Sequence, residues 1–428
     1  MGKDSFSHEE RSGCAGRTGY ISIHGKDREF MKEHRKTYLF CCLLMLIHTG
    51  LNSVATAAMP SLRAYYHTDL TSIVLGASVC CVSAFIAIFF ADHVIQKIGP
   101  RKTLMLGSIC GLIFCLLMAC SDQLVWFYMG CFFAGLLVGY GTHAPCNVYI
   151  RRMDAEKRGI LTSGMVTAGL IGGASFQVLT GYLLKSRSVS FCYLIMAGLA
   201  LIAFIVGTIG LKDVKAEPIK QKKEKKGKQE PNFQRLLKNP SFLLMAVIVL
   251  MGPAYITIFS TLLTSILQNA GMDPANSSLY LSAYTLLGGI TALFTGRIFD
   301  RFQVKIYVLL LYTAYFIGTA AMLCWNRTGF TILLCLAIAS YAVSMPVATL
   351  YNLVSGPFFG DLALAANTKL MSIAYFGSTV VLPIFSELYQ TKGLNFLWGI
   401  MAVLAIICMG FTLTVIRLNH LKESRQTP

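Results

Sequence analysis

Twelve long apolar runs, six before and six after a lysine-rich interruption, dominate this chain of 428 residues. A helix of roughly 20 apolar residues rises ~30 Å, which matches the hydrocarbon core of a bilayer. We therefore predict an all-α membrane protein with twelve transmembrane helices in two pseudo-symmetric six-helix bundles. The predicted spans are 37–59, 72–95, 102–121, 124–150, 160–184, 189–211, 241–267, 277–299, 304–325, 329–351, 364–386 and 395–417.

The distribution of basic residues predicts the orientation of the chain. A net charge of +17 would also fit a nucleic-acid-binding protein, but only 13% of the residues are charged, against about 25% in soluble domains. With the N-terminus inside, 32 of the 37 Lys and Arg residues lie on the inner side. This is the bias that orients membrane helices during insertion. We predict a multi-pass protein of the plasma membrane, with the lipid bilayer and no nucleic acid as partner.

The spans and their charges divide the chain into five predicted segments. A cytoplasmic N-terminal tail, 1–36, precedes the N-terminal bundle, 37–211. A basic cytoplasmic linker, 212–240, leads to the C-terminal bundle, 241–417, and a cytoplasmic tail occupies 418–428.

The two halves of the chain carry an internal repeat with an offset of 204 residues. The inner loop after the second span reads QKIGPRK at 96–102, and the loop after the eighth reads GRIFDRFQVK at 296–305. At the same offset, Asp69 corresponds to Asp273 at similar helix starts. The repeat indicates that the halves are copies of one bundle.

This loop resembles the signature loop of the major facilitator superfamily, which joins the second and third helices. The resemblance implies secondary transport by two rocking bundles, and a gating role for the loop at the inner end. Some residues of this chain match the signature, and others, such as Asp92 and Gln96, stand where the signature has Gly and Asp. The signature positions are Asp92, Gln96, Lys97, Gly99, Arg101 and Lys102 in the first copy, and Gly296, Asp300 and Arg301 in the second.

A narrower resemblance lies around the fourth and fifth spans. The segment Ala144-Pro145-Cys146-Asn147, the glycines at 172 and 173, and Gly99-Pro100-Arg101 resemble the oxalate/formate antiporter and monocarboxylate porter branch. The resemblance implies a small organic anion, such as a monocarboxylate, moved by antiport or proton symport.

Polar residues inside apolar spans are candidates for the substrate site, because they are costly in lipid. His48 and Asn52 in the first span, and His143 and Asn147 in the fourth, share a helix face at four-residue spacing. In the superfamily such spans line the central cavity. Interhelical hydrogen bonds of about 0.6 kcal/mol are the alternative explanation. Further candidates at comparable depth are Tyr255, Ser340, Tyr341, Ser344 and Tyr375.

No enzymatic motif is found in the sequence. There is no Walker loop for ATP, no paired carboxylates in a soluble fold and no zinc motif, so we predict no enzyme activity and no cofactor. Gradients must then drive transport, with His48 and His143 as candidates for proton coupling. The predicted partners are a small-molecule substrate and protons or a counter-substrate. The alternatives are an efflux transporter for amphiphilic or drug-like compounds, and a non-transporting membrane receptor or scaffold.

Overall fold

The computed structural model describes the backbone of residues 17–120, 122–151, 153, 158–212, 232–301, 304–345, 359 and 362–426. Within these ranges, side chains are described except at 17–34, 151, 158–160, 232–234, 252–255, 295–301, 304–305, 363–365, 367–368 and 418–426. All secondary structure in the described part is helical. The predicted all-α membrane fold is confirmed.

Seven helices form the N-terminal bundle. α1 begins inside the segment predicted as the N-terminal tail, and α4 and α5 together occupy the predicted fourth span. Their bounds are α1 Arg17–Tyr65, α2 Leu70–Ile98, α3 Pro100–Cys120, α4 Leu124–Gly141, α5 His143–Arg151, α6 Arg158–Ser186 and α7 Val189–Gly210.

The C-terminal bundle follows a short helix, α8. The described part of α12 is shorter than the predicted tenth span, and 346–358 lie outside the described residues. The bounds are α8 Asn232–Leu237, α9 Pro240–Asn269, α10 Pro274–Arg301, α11 Val304–Thr328, α12 Thr331–Ser344, α13 Ala363–Lys392 and α14 Leu394–Gln426.

The helices are long and apolar enough for a bilayer. Eleven described helical segments satisfy the length and composition of a membrane span, and α12 is apolar but shorter. Large apolar side chains cover the outside of the bundles, with Ile332 81% exposed and Ile209 79% exposed. Such a surface suits lipid, where helices satisfy their backbone hydrogen bonds internally.

Corresponding aspartates start the second helix of each bundle. Asp69 accepts a hydrogen bond from the N–H of Ser72 at 3.1 Å, and Asp273 accepts one from the N–H of Asn276 at 2.8 Å. Asp69 also accepts a hydrogen bond from the Ser72 hydroxyl at 2.5 Å. The hydroxyl bond and then the backbone bond hold the pKa of Asp69 below its usual value, and the Asn276 N–H does the same for the pKa of Asp273. The repeat read from the sequence therefore has a local structural counterpart in these two N-caps.

The bundles meet along two pairs of helices, α2 with α13 and α6 with α10. At the end predicted to face outside, Thr71 of α2 donates to Glu387 of α13 at 3.0 Å. On the other pair, Nζ of Lys185 lies 3.5 Å from Oδ2 of Asp273. Deeper in the membrane, Thr285 donates to the Gln177 side-chain oxygen at 3.0 Å. Direct side-chain contacts therefore join the two bundles at and below the predicted outer end.

Candidate functional site

A cavity of about 120 Å³ is lined by both bundles. Its walls come from α1, α2, α3 and α4 on one side and from α9 and α13 on the other. No Asp, Glu, Lys, Arg or His is found among the described residues that line it. The polar lining consists of one amide, three hydroxyls and three thiols: Asn52, Thr56, Thr257, Thr261, Cys80, Cys81 and Cys131.

Asn52 is the predicted site residue that the structure places in this cavity. Its side chain is half-buried, and its Oδ1 accepts a weak hydrogen bond from the thiol of Cys80, with Sγ and Oδ1 3.8 Å apart. This bond occupies the amide oxygen only. The amide nitrogen, which carries two N–H donors, remains available to other groups. Asn52 therefore can donate hydrogen bonds into the cavity.

His48 lies one turn before Asn52 but packs inside the N-terminal bundle. It is fully buried, with Nδ1 2.5 Å from the carbonyl oxygen of Gly141 and Nε2 2.8 Å from Oγ of Ser108. A carbonyl oxygen only accepts hydrogen bonds, so Nδ1 carries the proton in this contact. The structure thus engages both ring nitrogens of His48 in bonds to α3 and α4, and His48 does not line the cavity.

The partner of His48 is a carbonyl at a break in the fourth span. α4 ends at Gly141, and Thr142 leaves the helical conformation at φ −115° and ψ −124°. Pro145 has no N–H, so the carbonyl four residues earlier, that of Gly141, has no donor within the helix. A side chain replaces this missing donor, because His48 bonds the Gly141 carbonyl. At the same break, Thr142 Oγ1 gives the Val138 carbonyl an additional hydrogen bond at 2.5 Å.

His143 and Asn147 lie one turn apart at the start of α5, and both are half-buried. Within the described ranges, neither side chain makes a hydrogen bond. α5 packs against α1, α2, α3, α4 and α6, all in the N-terminal bundle. The two residues therefore keep free hydrogen-bonding groups, but they are not among the residues that line the cavity.

Three predicted site residues of the tenth span lie inside the C-terminal bundle. Tyr341 is fully buried, stacks on Phe259 with ring centroids 4.0 Å apart, and has its hydroxyl 3.0 Å from Oγ1 of Thr319. Ser344 donates to the carbonyl of Tyr341 at 2.8 Å, and Ser340 is also buried. The structure places this group in the aromatic core, away from the cavity lining.

The remaining two candidates lie on the helices that contact the other bundle. Tyr375 is half-buried on α13, which runs along α2. Tyr255 belongs to α9, but its side chain is outside the described residues. A binding role for either tyrosine stays a prediction.

The first copy of the loop motif joins helix ends. Gly99 caps α2 at φ 87°, a left-handed conformation that glycine tolerates, and its N–H bonds the Ile95 carbonyl at 2.9 Å. Arg101 donates to the carbonyl of Thr208 in the last turn of α7. Because cations stabilise the carbonyl end of a helix, Arg101 holds α3 and α7 together at the predicted inner end. The other motif side chains, Asp92, Gln96, Lys97 and Lys102, are exposed.

Across the bundle interface, Lys369 of α13 approaches the first copy of the motif. Its Nζ lies 3.3 Å from the ring centroid of Phe89 on α2, and it interacts electrostatically with Asp92. Gly296, Asp300 and Arg301 of the second copy form the last turns of α10, with side chains outside the described residues. A gating role for either copy stays a prediction.

The hydroxyls and thiols of the cavity were missed by the sequence reasoning. Thr257 and Thr261 repeat on α9 the four-residue spacing of Asn52 and Thr56 on α1, at nearly the offset that relates the two halves. This repeated spacing could have identified the two threonines as candidates for the site. Threonine and cysteine are common packing residues in membrane helices, so composition alone could not single them out.

Comparison with known proteins agrees with the architecture. The family model of the Major Facilitator Superfamily matches residues 41–358. The crystal structure of the nucleoside transporter NupG is similar with a TM-score of 0.70 at 15% sequence identity, covering 90% of this chain and 99% of that chain. The crystal structure of a D-xylose-proton symporter has a TM-score of 0.67 at 13% identity, covering 87% of this chain and 96% of that chain. A search of curated proteins finds no significant match.

At these identities the solved structures establish the fold alone. The family match covers well over half of the chain, and it agrees with the two helical bundles and the loop motif repeated between them. The described residues contain no group of three or more His, Cys, Asp or Glu that could hold a metal ion. The chain is a transporter rather than an enzyme, and it belongs to the Major Facilitator Superfamily.

Proposed function

We propose that this transporter moves a small organic solute by alternating access, with the cavity between its bundles as the substrate site. The observation that carries the proposal is a lining contributed by both bundles, α1 to α4 and α9 with α13. A solute held there contacts two bodies that rock against each other, so binding and conformational change are coupled.

Two substrate classes are candidates. A small organic anion such as a monocarboxylate, carried by antiport or proton symport, is supported by the resemblance of the segment 144–147 to the monocarboxylate branch. An amphiphilic or drug-like compound is supported by the lining, where Phe114, Phe127 and Leu382 accompany uncharged polar groups. Purified protein in liposomes, tested for uptake of labelled carboxylates and amphiphiles with and without a pH gradient, separates them.

The coupling ion is tested through His143. Its half-buried ring makes no described hydrogen bond, and an imidazole can take up and release a proton, so it is our candidate for proton coupling. We expect His143→Gln to flatten the pH dependence of transport between roughly pH 5 and 8. His48→Gln is the matched comparison, because both nitrogens of His48 are already bonded. An unaltered pH profile in His143→Gln would remove it from proton coupling.

We also propose that both termini and the linker 212–240 face the cytoplasm, and that the chain resides in the plasma membrane. The distribution of basic residues supports this orientation. Single cysteines introduced at positions 222 and 425 of a cysteine-free variant should resist an impermeant maleimide in intact cells and react after permeabilisation. Labelling in intact cells would reverse the orientation.

A further inference from the structure

The lining of the cavity restricts the charge of its cargo. Among the described residues that line the cavity, hydroxyls, thiols and the Asn52 amide are the polar groups, and apolar side chains such as Met59, Leu62 and Phe127 make up the rest. A carboxylate enclosed by such groups would lose its hydration without gaining an opposite charge. An uncharged molecule loses far less on entry, and the apolar wall compensates part of that loss.

Asn52 supplies a hydrogen-bond donor on the side of the N-terminal bundle. The bond from Cys80 occupies its Oδ1 and orients the amide, and no described residue accepts a hydrogen bond from its Nδ2. The N–H donors of this half-buried amide are therefore available to groups inside the cavity. An oxygen atom of a bound solute would accept a hydrogen bond from them.

Thr261 supplies a matching group on the side of the C-terminal bundle. Its side chain is 2% exposed and lines the cavity, and its hydroxyl makes no hydrogen bond to the described residues. Neighbouring threonines behave differently, since Thr264 of the same helix donates to the Thr56 carbonyl at 3.0 Å. The Thr261 hydroxyl can therefore donate a hydrogen bond to the cargo or accept one from it.

We propose that the transported solute is uncharged and binds through an acceptor oxygen to the Asn52 amide while it bonds the Thr261 hydroxyl of the opposite bundle. The proposal rests on the proposed transport function and narrows its substrate. A cargo held by one hydrogen bond from each bundle connects the two moving bodies. The same two bonds discriminate by charge, because neither group supplies a positive charge to a carboxylate.

Matched pairs of solutes test the charge requirement. Reconstituted wild-type protein is given labelled lactamide and lactate, benzamide and benzoate, and glucose and glucuronate, pairs that differ mainly in charge at pH 7. We expect uptake of at least one neutral member, with its carboxylate partner at least about tenfold weaker, because the carboxylate loses its hydration without gaining an opposite charge. Uptake restricted to carboxylates, or equal uptake within every pair, would overturn the proposal.

Isosteric variants test the two anchors with the preferred solute of the panel. Asn52→Leu and Thr261→Val should each raise the half-saturating concentration roughly tenfold, and Thr261→Ser, which keeps the hydroxyl, should restore most of it. Thr414→Val is the control, since the exposed Thr414 bonds only its own helix, at Gly410. Unchanged half-saturation in both anchor variants would overturn the binding mode while leaving transport intact. If wild-type protein moved no panel member, the inference would fail, whereas the proposed function is judged separately by the liposome assay with labelled carboxylates and amphiphiles.

Discussion

Replacement of His48 by phenylalanine is expected to destabilise the protein strongly. The variant keeps a ring of similar size but removes the donor to the Gly141 carbonyl and the bond to Ser108. An unsatisfied buried acceptor costs about 1–3 kcal/mol. We expect a clear fall in the melting temperature of the detergent-purified protein, with a milder fall for His48→Gln. His93→Phe is the control, because His93 is exposed.

A double-mutant cycle identifies the source of this effect. Pro145→Ala would return an N–H to the position whose helical acceptor is the Gly141 carbonyl. If His48 compensates for the missing donor, His48→Phe should cost less in the Pro145→Ala background than in the wild type. Additive effects of the two substitutions would contradict this account, and His48 would then act by packing alone.

Replacement of Gly181 by leucine is expected to impair transport while the protein remains folded. A Cβ at Gly181 of α6 would lie 2.5 Å from Cβ of Ser278 on α10, where the bundles meet at the predicted outer end. Overpacking costs about 1–3 kcal/mol and acts in this variant only on conformations that close this end. Such a cost lowers the population of the closed conformation by roughly 5- to 150-fold. Initial transport rates in liposomes should fall correspondingly.

The control for Gly181 lies elsewhere on the N-terminal bundle. Gly198 of α7 has open space around its Cβ position, so Gly198→Leu should transport normally. Melting temperatures of both variants in detergent should remain near that of the wild type, because the other conformations have no clash. A normal transport rate in Gly181→Leu would show that this contact can open without slowing the cycle.

The sequence predicts the fold well because membrane insertion depends on composition. Apolar runs and the alternation of basic loops identify the spans, and equal spacing in both halves identifies the paired caps Asp69 and Asp273. The break at Thr142 was not predicted, although Pro145 marks its place. The donor that compensates for it comes from α1, a partner that local sequence cannot specify.

The candidate site was only partly predictable. Four-residue spacing places His48 and Asn52 about 40° apart around α1, close enough to expect a shared environment. Yet α1 packs against several helices, so residues one turn apart have different surroundings. His48 faces the interior of the N-terminal bundle, whereas Asn52 lines the cavity. Likewise Tyr341 has the depth of a lining residue, but its ring stacks on Phe259. Depth follows from sequence, whereas the rotation of a helix depends on its neighbours.

The uncharged lining of the cavity has a consequence for how the transporter responds to membrane voltage. Moving one elementary charge through the membrane field changes the free energy by about 2.3 kcal/mol per 100 mV. The described residues that line the cavity carry no such charge, so their reorientation between the two sides performs no electrical work. These residues therefore make no contribution to a voltage dependence of the step in which the empty carrier returns. Any current that they leave to be explained during turnover comes from the coupling ion or the cargo.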